Sequence, residues 1–142
     1  MKTRNKKFIY LISPNKIINN SFYNNLNQVF KSKKVKFFQL RLKKEKVKKK
    51  VTIAKKILQI CSKNKVKLII NDDPNIALKV NAHGCHLGQK DMNIFDARKI
   101  LKNKIIGVTC HNSIKLVKKA TKDGADYVAL GSFFRSKTKK SA

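Results

Sequence analysis

The chain is predicted to be an α/β protein of the (β/α)8 TIM barrel type, with about six of the eight βα units present. Short apolar runs alternate with amphipathic segments, at the spacing of βα units rather than of an antiparallel sandwich. Nearly every predicted strand ends in polar residues able to bind an anion or a metal ion. This regularity favours a barrel over a doubly wound sheet, which concentrates its ligands at one switch point.

Length sets the limit of this prediction. A complete barrel typically needs at least about 200 residues, and this chain has 142. We therefore expect residues 1–142 to form a single β/α barrel domain that lacks the last two βα units.

The first two predicted strands differ in polarity. Phe8–Ile12 is a continuous apolar run, as in a buried strand, and a loop over 14–20 and a helix over Phe22–Phe30 follow it. Val35–Lys43 instead alternates between an apolar face and a polar face, the polar face carrying Gln39, Arg41 and Lys43. Such side chains need a polar interior, which a barrel has at the carboxyl ends of its strands. An exposed edge strand is the alternative.

The segment Val47–Ser62 is predicted to be the longest helix. Its apolar residues recur at intervals of four and three, at Val47, Val51, Ala54, Leu58 and Cys61. Lysines occupy the opposite face, so the helix is expected to pack one side against the sheet.

Two central strands each end in a polar cluster that contains a carboxylate. Leu68–Ile70 leads into Asn71 and Asp72, and Cys85–Leu87 leads into a turn that ends at Asp91. A short helical segment near residues 76–80 joins them. Because the carboxyl ends of parallel strands meet at one edge, the two carboxylates are expected to lie close together, as in a metal or phosphate site. A helix cap is the alternative role for Asp72.

Two further βα units complete the prediction. They comprise a helix capped by Asn93, a strand at Ile105–Val108, a helix from Ser113 to Lys122 and a strand at Tyr127–Leu130. The strand at Ile105–Val108 is followed by Thr109. A loop over 133–142 rich in hydroxyl and lysine side chains comes last.

The net charge of +28 is a surface property in our interpretation. Only four of the 35 basic residues are arginine, the side chain that sequence-reading nucleic-acid sites favour. The lysines lie mostly on outward helix faces, and their field would attract phosphorylated small molecules. We therefore expect small-molecule substrates and no nucleic-acid partner.

The cysteines and the N-terminus indicate a reducing compartment. Cys61, Cys85 and Cys110 lie in apolar segments without metal or redox spacing, so they are predicted to be buried thiols. The apolar run at Phe8–Ile12 is too short for a signal peptide, and no stretch is long enough to span a membrane. A cytoplasmic protein is the expectation.

Six motifs, in order along the chain, resemble the thiamine phosphate synthase family. They are Gln39-Leu40-Arg41-Leu42-Lys43, Ile70-Asn71-Asp72, Gly84-Cys85-His86-Leu87-Gly88-Gln89-Lys90-Asp91, Ile106-Gly107-Val108-Thr109-Cys110-His111, Gly124-Ala125-Asp126-Tyr127 and Ser136-Lys137-Thr138-Lys139. Members of this family are β/α barrel transferases that join hydroxymethylpyrimidine diphosphate to a thiazole phosphate, giving thiamine phosphate and diphosphate.

The resemblance implies a role for each matching residue. Asp72 and Asp91 would bind Mg²⁺, and Arg41, Lys43 and Lys139 would be the catalytic cations that neutralise the departing diphosphate. The implied substrate contacts are Gln39, Leu40, Arg41, Leu42, Lys43, Asn71, Thr109, Ser136, Lys137, Thr138 and Lys139. Thr109 stands where the family usually has serine, and Ser136 and Thr138 match the pair that holds the thiazole phosphate.

Departures from the family pattern and two alternative functions accompany this resemblance. Asp73 stands where arginine is common, and the glycine-rich backbone of the last two units, which binds the thiazole phosphate, is expected to be missing. A thiazole tautomerase with the same barrel is one alternative, although it has no diphosphate to hold. A non-enzymatic, basic nucleic-acid-binding protein is the other. The oligomeric state is left open.

Overall fold

A computed structural model describes residues 7–134 of the chain. Over these residues, six strands alternate with five helices, and the strand pairs in each part of the chain are parallel. The alternation predicted from the sequence is therefore confirmed. The chain divides into two compact units, residues 1–68 and 69–142, which we describe in turn. The assignment of the whole chain to one domain stays a prediction.

The first unit contains two βα pairs. They are β1 (Ile9–Ile12), α1 (Ser21–Lys31), β2 (Val35–Leu40) and α2 (Val47–Lys63). Strand β2 ends three residues earlier than predicted, so Arg41 and Lys43 follow the strand instead of belonging to it. Phe30 packs edge-on against Phe38 at 5.7 Å between ring centroids, which joins α1 to β2.

The second unit contains the remaining four strands. They are β3 (Lys67–Asn71), α3 (Pro74–Lys79), β4 (Gly84–Leu87), α4 (Ile94–Leu101), β5 (Ile105–His111), α5 (Ile114–Lys122) and β6 (Tyr127–Leu130). Strands β3 to β6 neighbour one another in chain order. Asn93 and Ser113 cap α4 and α5, each accepting a hydrogen bond from a backbone N–H three residues on. Both caps were predicted from the sequence.

An arginine ties together the amino ends of β5 and β6. Arg98 donates hydrogen bonds to three carbonyl oxygens, and its Nη2 lies 2.8 Å from Oδ2 of Asp126. The same carboxylate oxygen accepts the N–H of Ile106 at 2.8 Å. Because these contacts lie at the start of the strands, they support the barrel end opposite the polar strand termini.

The three cysteines are buried and free, as the sequence predicted. Cys61 on α2 is fully buried, and this burial raises the pKa of its thiol from the usual 9.0 to about 12. The folded chain therefore keeps this proton in a pH range where the unfolded chain releases it.

This difference predicts a pH effect on stability. Below pH 9.0 the Cys61 thiol is protonated in both states, and its contribution to stability is fully present. Between pH 9.0 and about 12, the free energy of unfolding should fall by up to about 1.4 kcal/mol per pH unit for this single proton. Urea unfolding of the native chain and of Cys61→Ala across this range isolates the effect, because all other titrating groups are shared. Identical slopes in the two proteins would contradict the prediction.

Candidate functional site

In the first unit, Gln39 at the end of β2 contacts both a residue of β1 and the residue that follows β1. Gln39 is buried, and its Nε2 donates to the phenolic oxygen of Tyr10 at 3.0 Å. Its backbone carbonyl accepts the N–H of Ser13 at 2.9 Å, which continues the strand pairing past the end of β1. The Gln39 side chain is therefore held in a fixed orientation.

Arg41 is held by the same loop. Its backbone N–H donates to Oγ of the buried Ser13 at 2.9 Å, and its guanidinium Nη1 donates to Oδ1 of Asn15 at 2.6 Å. Sequence reasoning identified Arg41 but missed Ser13 and Asn15 as its supports. The only signal was their position directly after a strand.

The other predicted residues of the first unit differ in exposure. Lys43 is exposed, whereas Leu40 and Leu42 are buried in the core. Any contact of these leucines with a ligand would therefore use their backbone atoms. The predicted residues Ser136, Lys137, Thr138 and Lys139 lie outside the described residues.

In the second unit, Asp72 lies directly after β3 in an uncommon backbone conformation. Its φ of 67° is in the left-handed region, where aspartate is one of the few tolerated residues. Its backbone N–H donates to the carbonyl of His86 at 2.8 Å, and the N–H of Asp73 donates back to the carbonyl of Asn71 at 2.9 Å. Outliers of this kind cluster at functional sites.

The helix cap that was the alternative role for Asp72 belongs to its neighbour. Oδ1 of Asp73 accepts the N–H of Ile76 at 3.0 Å at the start of α3, and Pro74 occupies the first helical turn. The two consecutive carboxylates therefore have different roles in the turn: Asp73 caps α3, and Asp72 precedes the cap.

Asp91 is placed by the turn that follows β4. Its Oδ2 accepts the N–H of Gly88 at 2.7 Å, and its own N–H donates to the carbonyl of Gly88 at 3.3 Å. A side chain at position 88 would approach this carboxylate, since a Cβ there would lie 2.9 Å from Oδ2. The glycine therefore permits the turn to close on Asp91.

Both carboxylates influence the same buried thiol. Burial raises the pKa of Cys85 most strongly, and the nearby carboxylates of Asp73, Asp72 and Asp91 raise it further. Over residues 7–134, no group of three or more His, Cys, Asp or Glu side chains is arranged to hold a metal ion. Two carboxylates suit a hard cation such as Mg²⁺, which commonly completes its coordination with water and phosphate oxygens.

A row of residues crosses the four strands of the second unit in register. Asn71 on β3 pairs with His86 on β4, His86 pairs with Gly107 on β5, and Gly107 pairs with Tyr127 on β6. A Cβ at position 107 would lie 1.9 Å from Cζ of Tyr127, so the tyrosine ring occupies the space that a side chain would need. Because Gly107 has no side chain, His86 on β4 and Tyr127 on β6 can contact each other across β5.

Both ring nitrogens of His86 are hydrogen-bonded to hydroxyl groups. Nδ1 lies 2.8 Å from the phenolic oxygen of Tyr127, and Nε2 lies 2.8 Å from Oγ1 of Thr109. His86 is buried, and Thr109 is the hydroxyl residue predicted to contact substrate. The strand register shifts between Thr109 and His111, and such irregularities often re-aim side chains next to active sites.

The sequence alone did not reveal this three-residue contact. Gly107 inside an apolar strand was the available signal, because glycine in a strand often marks the close approach of another group. The identity of that group depends on strand register, which the sequence pattern does not specify.

Comparison with known proteins places this fold in a defined class. The model for a family described as thiamine monophosphate synthase (TMP-TENI) matches residues 9–142. A thiamine-phosphate synthase of Pelagibacter ubique is 67% identical over 135 residues, which is 95% of this chain and 65% of that protein. Another, from Marinobacter nauticus, is 47% identical over 90 residues, covering 63% of this chain and 40% of that protein.

A solved structure agrees with these sequence relatives. Thiamine phosphate pyrophosphorylase from Pyrococcus furiosus superimposes with a TM-score of 0.81 at 29% identity, covering 92% of this chain and 63% of that one. The chain is thus an α/β protein with the fold of an incomplete β/α barrel, as predicted. It belongs to the thiamine monophosphate synthase family. It spans between 40% and 65% of the length of the two sequence relatives named above.

None of the helices between residues 7 and 134 is long and apolar enough to cross a membrane.

Proposed function

We propose that this protein acts in thiamine biosynthesis as a transferase, joining hydroxymethylpyrimidine diphosphate to a thiazole phosphate with release of diphosphate. Family membership supports the reaction class. The observation that carries the proposal furthest is the placement of Asp72 and Asp91 after the paired parallel strands β3 and β4, while Asp73 caps the helix. A carboxylate held this way after a strand, in the same unit as Asp91, is suited to a ligand role.

Asp72 and Asp91 are the proposed ligands of a Mg²⁺ ion. Both supply hard oxygen donors, and phosphate oxygens of the substrate are suited to complete such a site. When bound, the ion would neutralise negative charge on the departing diphosphate. Asp91 is already oriented by Gly88, so one of its oxygens has a fixed direction.

The chain's cations have the corresponding role at the leaving group. In the proposed reaction, the bond between the pyrimidine methylene carbon and the diphosphate oxygen breaks, and its electron pair leaves with the diphosphate. Arg41, Lys43 and Lys139 are proposed to stabilise this charge, with Asn15 and Ser13 holding Arg41. The delocalised carbocation is then attacked by the lone pair of the thiazole nitrogen, which forms the new C–N bond.

The remaining residues are proposed to position the substrates. Gln39, Asn71 and Thr109 would contact the pyrimidine substrate, and Ser136, Lys137 and Thr138 the thiazole phosphate. This chemistry requires stabilisation of a leaving group and exclusion of water more than a strong base.

An assay of diphosphate release tests the proposal. The full-length gene product should release diphosphate and form thiamine phosphate only when both substrates and Mg²⁺ are present. Isomerisation of the thiazole without diphosphate release would instead identify a tautomerase. Absence of both reactions, together with salt-resistant binding to generic DNA or RNA, would favour the nucleic-acid alternative and overturn the proposal.

A further inference from the structure

The contact of His86 with two hydroxyl groups raises the question of which way their protons point. A neutral imidazole donates from one ring nitrogen and accepts at the other. One arrangement has Tyr127 donating to Nδ1 and Nε2–H donating to Thr109, while the other runs in the opposite direction. The two arrangements differ in the Thr109 hydroxyl, because only the first leaves its proton free to be donated to another acceptor.

The acidity of the two hydroxyls favours the first arrangement. The phenolic O–H of Tyr127 is the more acidic group and therefore the better donor to an imidazole nitrogen. The alkyl hydroxyl oxygen of Thr109 is the more basic and therefore the better acceptor, since its lone pairs are not delocalised into a ring. Each donor then meets its stronger acceptor, and neighbouring hydrogen bonds polarise one another in the same direction.

We propose that His86, oriented by Tyr127, is a positioning residue that directs the Thr109 hydroxyl proton towards a hydrogen-bond acceptor on the substrate. This inference rests on the proposed function, because it deepens the substrate contact assigned to Thr109. The relay comprises Tyr127 O–H to Nδ1, Nε2–H to Oγ1, and the Thr109 O–H to a substrate ring nitrogen or phosphate oxygen. Gly107 is part of this arrangement, because the absence of a Cβ at this position lets the Tyr127 ring reach His86.

The ring nitrogens of His86 give a direct test that needs no activity. Long-range proton–nitrogen NMR of the full-length gene product at neutral pH, assigned with a His86→Gln variant, identifies the protonated nitrogen. We expect the proton on Nε2 and a pyridine-like Nδ1. In Tyr127→Phe, which keeps the ring over Gly107, the two nitrogen shifts should move towards each other as the tautomer preference weakens. A proton on Nδ1, or on both nitrogens, in the native protein overturns the proposal.

Activity gives the second test, as a double-mutant cycle. Thr109→Val should lower kcat/KM by about tenfold to a hundredfold and Tyr127→Phe by up to about tenfold, as expected for lost hydrogen bonds to substrate and to the histidine. If Tyr127 acts through Thr109, Tyr127→Phe should cost nothing further in the Thr109→Val background. If the two losses in kcat/KM multiply in the double variant, Tyr127 has a merely structural role and the relay is overturned.

Two control variants complete the cycle. Thr109→Ser keeps the hydroxyl and should recover most of the activity that Thr109→Val loses. Tyr23→Phe removes a phenolic hydroxyl from α1 and should change neither activity nor the His86 signals. If the native protein makes no thiamine phosphate but His86 carries its proton on Nε2, the proposed function fails and the proton direction is retained.

Discussion

Replacing Asp72 with asparagine is expected to lower the kcat/KM of Mg²⁺-dependent diphosphate release by about a hundredfold or more. A loss of this size corresponds to ~2.7 kcal/mol of transition-state stabilisation, within the range that metal-assisted charge neutralisation supplies. Asparagine tolerates the left-handed backbone at φ 67° as aspartate does, so the turn after β3 should persist. The substitution therefore removes the negative charge of this side chain while keeping its size.

Asp73→Asn is the matched control for this experiment. It removes one negative charge at the adjacent position, and both carboxylates lie near the same buried thiol of Cys85. Asparagine caps helices as well as aspartate, so the bond from the Ile76 N–H to position 73 should survive. We expect activity and Mg²⁺ dependence within about threefold of the native protein. Equal losses in the two variants would remove the special role of Asp72.

The candidate site was predictable where a polar side chain comes directly after an apolar run in the sequence. Asp72 and Asp91 were identified because a carboxylate follows each of two successive apolar runs. In the structure, Asp72 follows β3 and Asp91 follows β4. Asp73 could not be assigned in the same way, because two adjacent carboxylates before a proline leave the capping residue open. In the structure, Asp72 adopts a left-handed conformation and its N–H donates to the carbonyl of His86, while Asp73 caps the helix.

The helix faces show a second limit of sequence patterns. Helix α2 was predicted to bury a face containing Val51 and Leu58, whereas Ile53 and Ile57 are buried together with Ala54 and Cys61. Apolar residues are so frequent along this helix that two overlapping stripes satisfy the same periodicity. The rotation of the helix is then chosen by packing, which favours the stripe that buries two isoleucines.

Strand β1 shows the corresponding limit for strands. Its apolar run predicted a buried strand, yet Ile9 and Ile12 are about half exposed. Among the described residues of the first unit, β1 has one strand partner, β2, so one of its edges is left without a neighbouring strand. An apolar run reports that a segment can be buried, while the neighbours that bury it lie elsewhere in the chain.

Gly84→Ala is expected to have the largest effect on stability. A Cβ at position 84 would lie 2.2 Å from the carbonyl oxygen of Ile105 and 2.7 Å from its Cβ. Since the first of these atoms is backbone and β4 pairs with β5 at this very position, relief requires the two strands to separate. We expect a loss of about 3 kcal/mol or more in the free energy of unfolding, at the upper end of overpacking costs.

Two other glycines separate this steric effect from the general cost of replacing glycine. Gly124→Ala meets no atom within 4 Å but has a φ of 90°, so its cost should be the conformational one, about 1–2 kcal/mol. Gly107→Ala meets the ring of Tyr127, a side chain that can swing outward, and should be less destabilising than Gly84→Ala while breaking the contact with His86. Urea unfolding of the three variants should therefore rank Gly84 as the most damaging position. A smaller loss for Gly84→Ala than for Gly124→Ala would mean that β4 and β5 separate readily at their start, contrary to the close approach between Gly84 and Ile105.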